Sequence, residues 1–167
     1  IQWHMIGHVQ TNKVKFMAEY VSLIHGVDSL KLLQEINKQA QKHNRVIDCL
    51  LQIYIAEEES KFGLDEKDLD VILNLVQFDN SDFKNISIVC LMGMATFTDN
   101  QTQIKKEFDN LKTIFDKINA DAIGKDSINR VSILSMGMSG DYKLAIECGS
   151  TMVRIGSSIF GNRTYQI

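Results

Sequence analysis

Apolar residues along this chain gather into six short runs, at positions 1–7, 21–27, 46–55, 86–95, 131–136 and 151–156. The third and fourth runs, Val46-Ile-Asp-Cys-Leu-Leu-Gln-Ile-Tyr-Ile55 and Ile86-Ser-Ile-Val-Cys-Leu-Met92, are rich in β-branched residues. They are too continuous for a strand with one wet face, so the pattern predicts strands of a parallel sheet covered on both sides. Between the runs the apolar positions follow the helical period. Asp28 is a candidate N-cap ahead of Leu30, Leu33, Ile36 or Asn37, and Ala40. Asp65 precedes Leu69, Ile72, Leu73 and Val76, an i, i+3, i+4, i+7 set. A longer helix carries Ile104, Phe108, Leu111, Phe115 and Ile118 on one face, and Asp141 opens a short helix that Gly149 can close. The order predicted is a strand and a helix repeated six times, with functional loops at the C-terminal strand ends.

Length and composition bound this picture. A chain of 167 residues, 44% hydrophobic and 23% charged, suffices for one packed domain, here taken as residues 1–167. The net charge of −3 is spread along the sequence, which argues against nucleic-acid binding. The apolar stretch at 86–95 is about half the length of a membrane helix, and a membrane role is not expected. Cys49, Cys90 and Cys148 are odd in number and set in apolar runs, the usage of reduced cysteines in the cytoplasm. The sequence contains no proline.

Two architectures fit six units of roughly 28 residues: an open doubly wound sheet, or part of a (β/α)₈ barrel of about 250 residues. No G-x-G-x-x-G follows the first strand, whereas the last ends in a glycine- and hydroxyl-rich turn. Pattern alone divides these two evenly.

Candidate chemistry concentrates at two strand ends. Ser135-Met-Gly-Met-Ser-Gly-Asp141 and Arg154-Ile-Gly-Ser-Ser158 each follow an apolar run and precede a helix. Hydroxyls and free amides there suit a phosphate, although either segment alone is an ordinary turn. Arg154, inside an apolar strand, needs either an internal salt bridge or a ligand. His4 and His8 lie on a strand and its loop, so they do not share a face as helical metal ligands would, and no metal is expected. His25 is a site neighbour at a strand end, and His43 is assigned to the surface. Glu57, Glu58 and Glu59, followed by Ser60 and Lys61, read as a solvated loop. Met92, Met94, Met136 and Met138 read as packing or ligand-wall residues. No G-x-S-x-G, P-loop or H-E-x-x-H is present, so hydrolase and NTPase readings lack support.

Six segments in order carry a family resemblance: Trp3-His-Met-Ile-Gly-His-Val-Gln-Thr-Asn-Lys13, Ile24-His-Gly-Val-Asp-Ser29, Glu58-Glu-Ser-Lys-Phe-Gly63, Leu91-Met-Gly-Met94, Leu134-Ser-Met-Gly-Met-Ser-Gly-Asp141 and Gly149-Ser-Thr-Met-Val-Arg-Ile-Gly156. The chain resembles the pyridoxal phosphate homeostasis proteins, also called proline synthetase co-transcribed homologues. The resemblance implies an α/β fold, a (β/α)₈ TIM barrel of the alanine racemase N-terminal type, with the first two β-α units absent from this chain. It implies a cytoplasmic pyridoxal 5′-phosphate (PLP) carrier without turnover of its own, a monomer or weak homodimer, with PLP-dependent apoenzymes as candidate recipients. An alternative is a racemase-like enzyme; another is an interaction module without cofactor.

Carried over by residue, Ser135, Met136 and Ser139 line the phosphate side, and Gly156 and Ser157 offer an amide and a hydroxyl to the phosphate. Arg154 matches the arginine that faces the pyridine nitrogen, where a fixed cation disfavours ring protonation. The family's Schiff-base lysine has no counterpart here and is expected upstream of Ile1. Lys61 is the lysine nearest to it in character. Cys90 stands where glycine is usual before the Leu-Met pair.

Overall fold

The computed structural model describes residues 1–58, 61–78, 82–121 and 131–161. Six strands form one sheet: β1 (Trp3–Met5), β2 (Val21–Val27), β3 (Ile47–Ile53), β4 (Ile86–Gly93), β5 (Ile133–Met138) and β6 (Met152–Arg154). All neighbours are parallel and their order in space is their order in sequence. The helices are α1 (Leu30–Lys42), α2 (Glu66–Phe78), α3 (Gln101–Asp121), α4 (Tyr142–Glu147) and α5 (Ser157–Phe160).

Every predicted strand is present, and two of the connections differ from expectation. The first crossover is a 3₁₀ helix, Thr11–Phe16, whose one buried residue is Val14. One anchor secures a single tight turn and not an amphipathic α-helix. The last, α5, has four residues with none buried.

The stripes read from the sequence are those that pack. Leu69, Ile72, Leu73 and Val76 are buried, as are Ile104, Phe108 and Leu111. In α1 Ile36 is the buried member, while Asn37 reaches out to the Asp82 carbonyl and the Asn85 amide. The α1 cap is Ser29, not Asp28: the Ser29 hydroxyl accepts from the Leu32 amide at 3.3 Å, and the Asp28 carboxylate turns to His8 instead. Helix α4 ends as expected at Gly149, with φ +95 and bonds Gly149 N–H to Ile146 O and Ser150 N–H to Ala145 O.

Two apolar clusters lie on opposite faces of the sheet. The larger joins the helices to one face, through residues such as Ile24, Leu51, Leu91, Leu134 and Met136. The smaller consists of strand residues alone: Leu23, Leu50, Cys90 and Met92, with Ile133 and Met152 against them. Helices on one face and a sequential strand order without a reversal exclude the doubly wound alternative, which needs helices on both faces. The sheet is also curled. The architecture is a parallel six-stranded half-barrel, with its concave inner face lined by strand side chains.

Candidate ligand site on the inner face and at the strand ends

Alternation along the strands places His25, Gln52, Met92, Ser135 and Arg154 on the inner face near its C-terminal rim. Gln52, Met92 and Ser135 are consecutive register partners across β3, β4 and β5. Arg154 is 8% exposed and reaches across two strands. Its Nη1 donates to the Ser135 carbonyl at 3.0 Å and hydroxyl at 2.7 Å, and its Nη2 to the Gly93 carbonyl at 3.0 Å. The salt bridge weighed from sequence is not what satisfies it: among the described residues its partners are two carbonyls and a hydroxyl. Burial pulls its pKa down and the charge of Asp141 opposes this. A guanidinium stays charged at neutral pH regardless, so the inner face carries a positive charge with no carboxylate in contact among the described residues.

Gly93 makes this possible. A Cβ there would stand 2.8 Å from both Ile55 Cδ1 and Leu111 Cδ2, so a larger residue would push these side-chain tips aside, while the glycine leaves them packed and its carbonyl serves Arg154. Cys90, also on this face, is wholly buried with its thiol donated to the Leu91 carbonyl, and burial raises its pKa. It is packing, not a nucleophile. His25 is 1% exposed, and its Nε2 lies 3.2 Å from His4 Nδ1. Burial, then the charges of Arg154 and His4, push its pKa down to about 4, so it is neutral.

Beside this face the ends of β5 and β6 meet. The Ser139 hydroxyl accepts from the amides of Gly156 and Ser158, both at 3.2 Å, and thereby ties the two turns together. Asp141 Oδ1 accepts from the Met138 amide at 2.6 Å and folds the β5 turn. Gly137, at φ +97, is required there because a Cβ would lie 2.6 Å from Ala145 Cβ. The turns border a cavity of about 440 Å³ lined by residues including Ser139, Asp141, Tyr142, Lys143 and Ser158.

Of the residues singled out from sequence, Ser135 and Arg154 are bonded to each other, and Ser139 in the β5 turn is bonded to Gly156 in the β6 turn, next to Ser157. Met136 is placed elsewhere. Its side chain is in the helix-facing core, and both its amide and its carbonyl are taken by the Ser150 hydroxyl. Ser158, Tyr142 and Lys143 were not singled out for the cavity wall. Ser158 had a signal in its hydroxyl within the same turn; Tyr142 and Lys143, on a helix face, had none.

The acidic run after β3 is anchored rather than freely solvated. The Glu57 amide donates to Thr96 Oγ and Glu107 Oε1, and Glu58 Oε2 accepts from the Phe97 amide. Lys61 Nζ lies 3.5 Å from Glu58 Oε2. Glu59 and Ser60 lie outside the described residues. At the same rim His8 Nδ1 is 3.0 Å from Asp28 Oδ2, with its ring stacked on Phe62. Among the described residues no group of three or more His, Cys, Asp or Glu side chains could hold a metal ion.

The fold recurs among known proteins. The alanine racemase, N-terminal domain family matches residues 2–164. The pyridoxal phosphate homeostasis protein of Aquifex aeolicus is 34% identical over 165 residues, 99% of this chain and 68% of that protein. Its counterpart in Vibrio alginolyticus is 36% identical over 166 residues, 99% of this chain and 66% of that one. The chain thus spans about two thirds of the length of these relatives. The structure of PipY from Synechococcus elongatus with PLP bound superposes with a TM-score of 0.81 at 28% identity, over 96% of this chain and 71% of that one. An alanine racemase from Clostridium difficile, at 16% identity and a TM-score of 0.72 over 99% of this chain and 41% of that one, shares the fold. With a family match along nearly its whole length and curated relatives above 30% identity, the chain belongs to the pyridoxal phosphate homeostasis proteins of the alanine racemase N-terminal domain family.

Proposed function

We propose that this chain binds pyridoxal 5′-phosphate between the inner face and the β5–β6 turns and serves as a carrier in PLP homeostasis. The observation that carries the reading is Arg154, a buried cation on the concave face, held by carbonyls and a hydroxyl and bonded to no carboxylate among the described residues. Such a charge is costly unless something electron-rich completes it. The residues present fit the group. The Ser157 hydroxyl would take the phosphate, and the amides of Gly156 and Ser158, which donate to the Ser139 hydroxyl here, would turn to the phosphate only by leaving that oxygen. Ser135 would hold Arg154 toward the ring. PLP, when bound, supplies an aldehyde and an electron-withdrawing ring.

The electrostatics suit a carrier and equally a racemase-like site with limited side reactions; the relatives named pyridoxal phosphate homeostasis proteins favour the carrier. Arg154 keeps a positive charge beside the ring nitrogen, and a cation there disfavours its protonation, which weakens the ring as an electron sink. The outer edges of β1 and β6 would pair with two further strand-helix units in a closed eight-stranded barrel, one strand of which would bring the lysine for the aldehyde. Three free, buried cysteines support a reducing, cytoplasmic setting. No helix among the described residues is long and apolar enough to cross a membrane. PLP-dependent apoenzymes are the recipients such a carrier would serve.

Titration of the chain with PLP and with pyridoxal, followed by calorimetry, tests this. PLP is expected to bind at least tenfold tighter than pyridoxal, and Arg154→Met to weaken PLP while the far-ultraviolet spectrum is unchanged. Equal affinity for the two vitamers, or an Arg154→Met chain that is folded and binds PLP normally, would overturn the reading.

A further inference from the structure

The interior holds one feature that the phosphate turn and Arg154 leave unexplained. His25 Nδ1 is buried and has no hydrogen-bond partner among the described residues, and an unmet buried polar atom of this kind costs about 1–3 kcal/mol. Its other ring nitrogen is engaged with His4 Nδ1 at 3.2 Å. The ring belongs to the inner face: Ile24 packs among the helices, whereas Leu23, two positions back on the same face, belongs to the strand-only cluster.

The contact between the rings admits two proton placements, His25 Nε2–H donating to His4 Nδ1 or His4 Nδ1–H donating to His25 Nε2, and the first sets which partner is wanted. His25 is buried and neutral beside Arg154, so one of its nitrogens carries a proton and the other a lone pair. With both rings protonated on Nε2, His25 donates to the Nδ1 lone pair of His4, and His4, which is exposed, turns its own Nε2–H to solvent. That assignment leaves His25 Nδ1 as a bare acceptor on the inner face.

We propose that His25 is a ligand-contacting residue of this site, whose Nδ1 accepts a hydrogen bond from a hydroxyl or protonated nitrogen of the bound molecule. Arg154 and His25 then form a matched couple, a fixed donor and a neutral acceptor on one concave surface. The site selects a planar molecule that offers an electron-rich atom to the first and a donor to the second. This rests on the reading above, in which that molecule is PLP; the new element is the contact to β2 and the role of His4 in setting its polarity.

Nitrogen-15 NMR of histidine-labelled chain, with and without PLP, tests the assignment, with His25→Phe and His4→Phe as variants. The free chain is expected to show His25 neutral from pH 8 down to pH 5, with a proton on Nε2 and a bare Nδ1. Adding PLP is expected to shift the Nδ1 resonance. His25→Phe is expected to weaken PLP about five- to tenfold, as for one lost buried hydrogen bond. His4→Phe, a change at an exposed ring, is expected to keep the fold but release His25 to both tautomers. If PLP moves the Ser135 and Arg154 resonances while His25 Nδ1 is unmoved, this inference falls and the PLP reading stands. If no inner-face resonance responds to PLP, both fall. A His25 that takes up a proton above pH 6 in the free chain also overturns it.

Discussion

Replacing Glu107 by alanine should loosen the rim of the site, and the size of the effect follows from its contacts. Glu107 lies on α3, 3% exposed, beneath the loops after β3 and β4. Its Oε2 accepts from the Thr96 amide at 2.7 Å, and its Oε1 from the Thr96 hydroxyl at 2.7 Å, the Glu57 amide at 3.0 Å and Gln103 Nε2 at 3.2 Å. Burial by itself would raise its pKa, but these donors outweigh it and hold the carboxyl below the ordinary range. Each buried donor left unmet costs about 1–3 kcal/mol. Glu57 and Thr96 are partly open to water and can recover some of this, so we expect Glu107→Ala to cost about 3 kcal/mol. Glu107→Gln, which keeps one oxygen, should cost about half as much. Because the folded pKa is depressed, this stabilisation is complete above the unfolded value of about 4.3 and disappears as pH falls below it through the folded value. Urea unfolding at an unchanged m-value measures both, and hydrogen exchange at Glu57 and Thr96 localises the loss. A Glu107→Ala cost below about 0.5 kcal/mol, with those two amides still protected, would refute the argument.

Three further outcomes follow from the same reasoning. Since His25 is held near 4 against an ordinary 6.5, the unfolded chain takes up a proton between those values that the folded chain refuses. Stability should therefore fall by up to about 3 kcal/mol from pH 6.5 to 4, and urea midpoints of His25→Gln should lack that part of the slope. Gly137→Ala combines a positive φ with a contact of 2.6 Å and should cost about 2–4 kcal/mol, seen as a lowered thermal midpoint. Ser29→Ala removes the α1 cap and should cost about 1 kcal/mol; Asp28→Ala should leave α1 intact and free His8, visible in the His8 ring resonances.

How far the sequence reveals this molecule differs by level. Strands show because a buried parallel strand is an unbroken apolar run, and Ile47–Ile53 and Ile86–Gly93 are such runs. Helix stripes show for the same reason of burial. The choice between barrel and open sheet did not show, because it depends on which face each crossover covers, and Leu50 and Leu51 look alike in sequence although they pack on opposite faces. Within the site, Arg154 announced itself as a charge in an apolar run, and Ser139 as a hydroxyl in a turn. Met136 misled because adjacent residues in a strand point to opposite sides, and a motif does not say which side holds the ligand. The partnership of His25 with His4, twenty-one positions away, and of Glu107 with Glu57, fifty away, are products of strand register and helix docking that no local pattern encodes.

The most direct measurement of the central claim is a crystal structure of this chain grown with PLP. Ring density against Arg154 on the inner face, with the phosphate at the turns formed by Ser139, Gly156, Ser157 and Ser158, is the result predicted. Density for PLP at any other place, or an inner face that stays solvent-filled at saturating PLP, would contradict it.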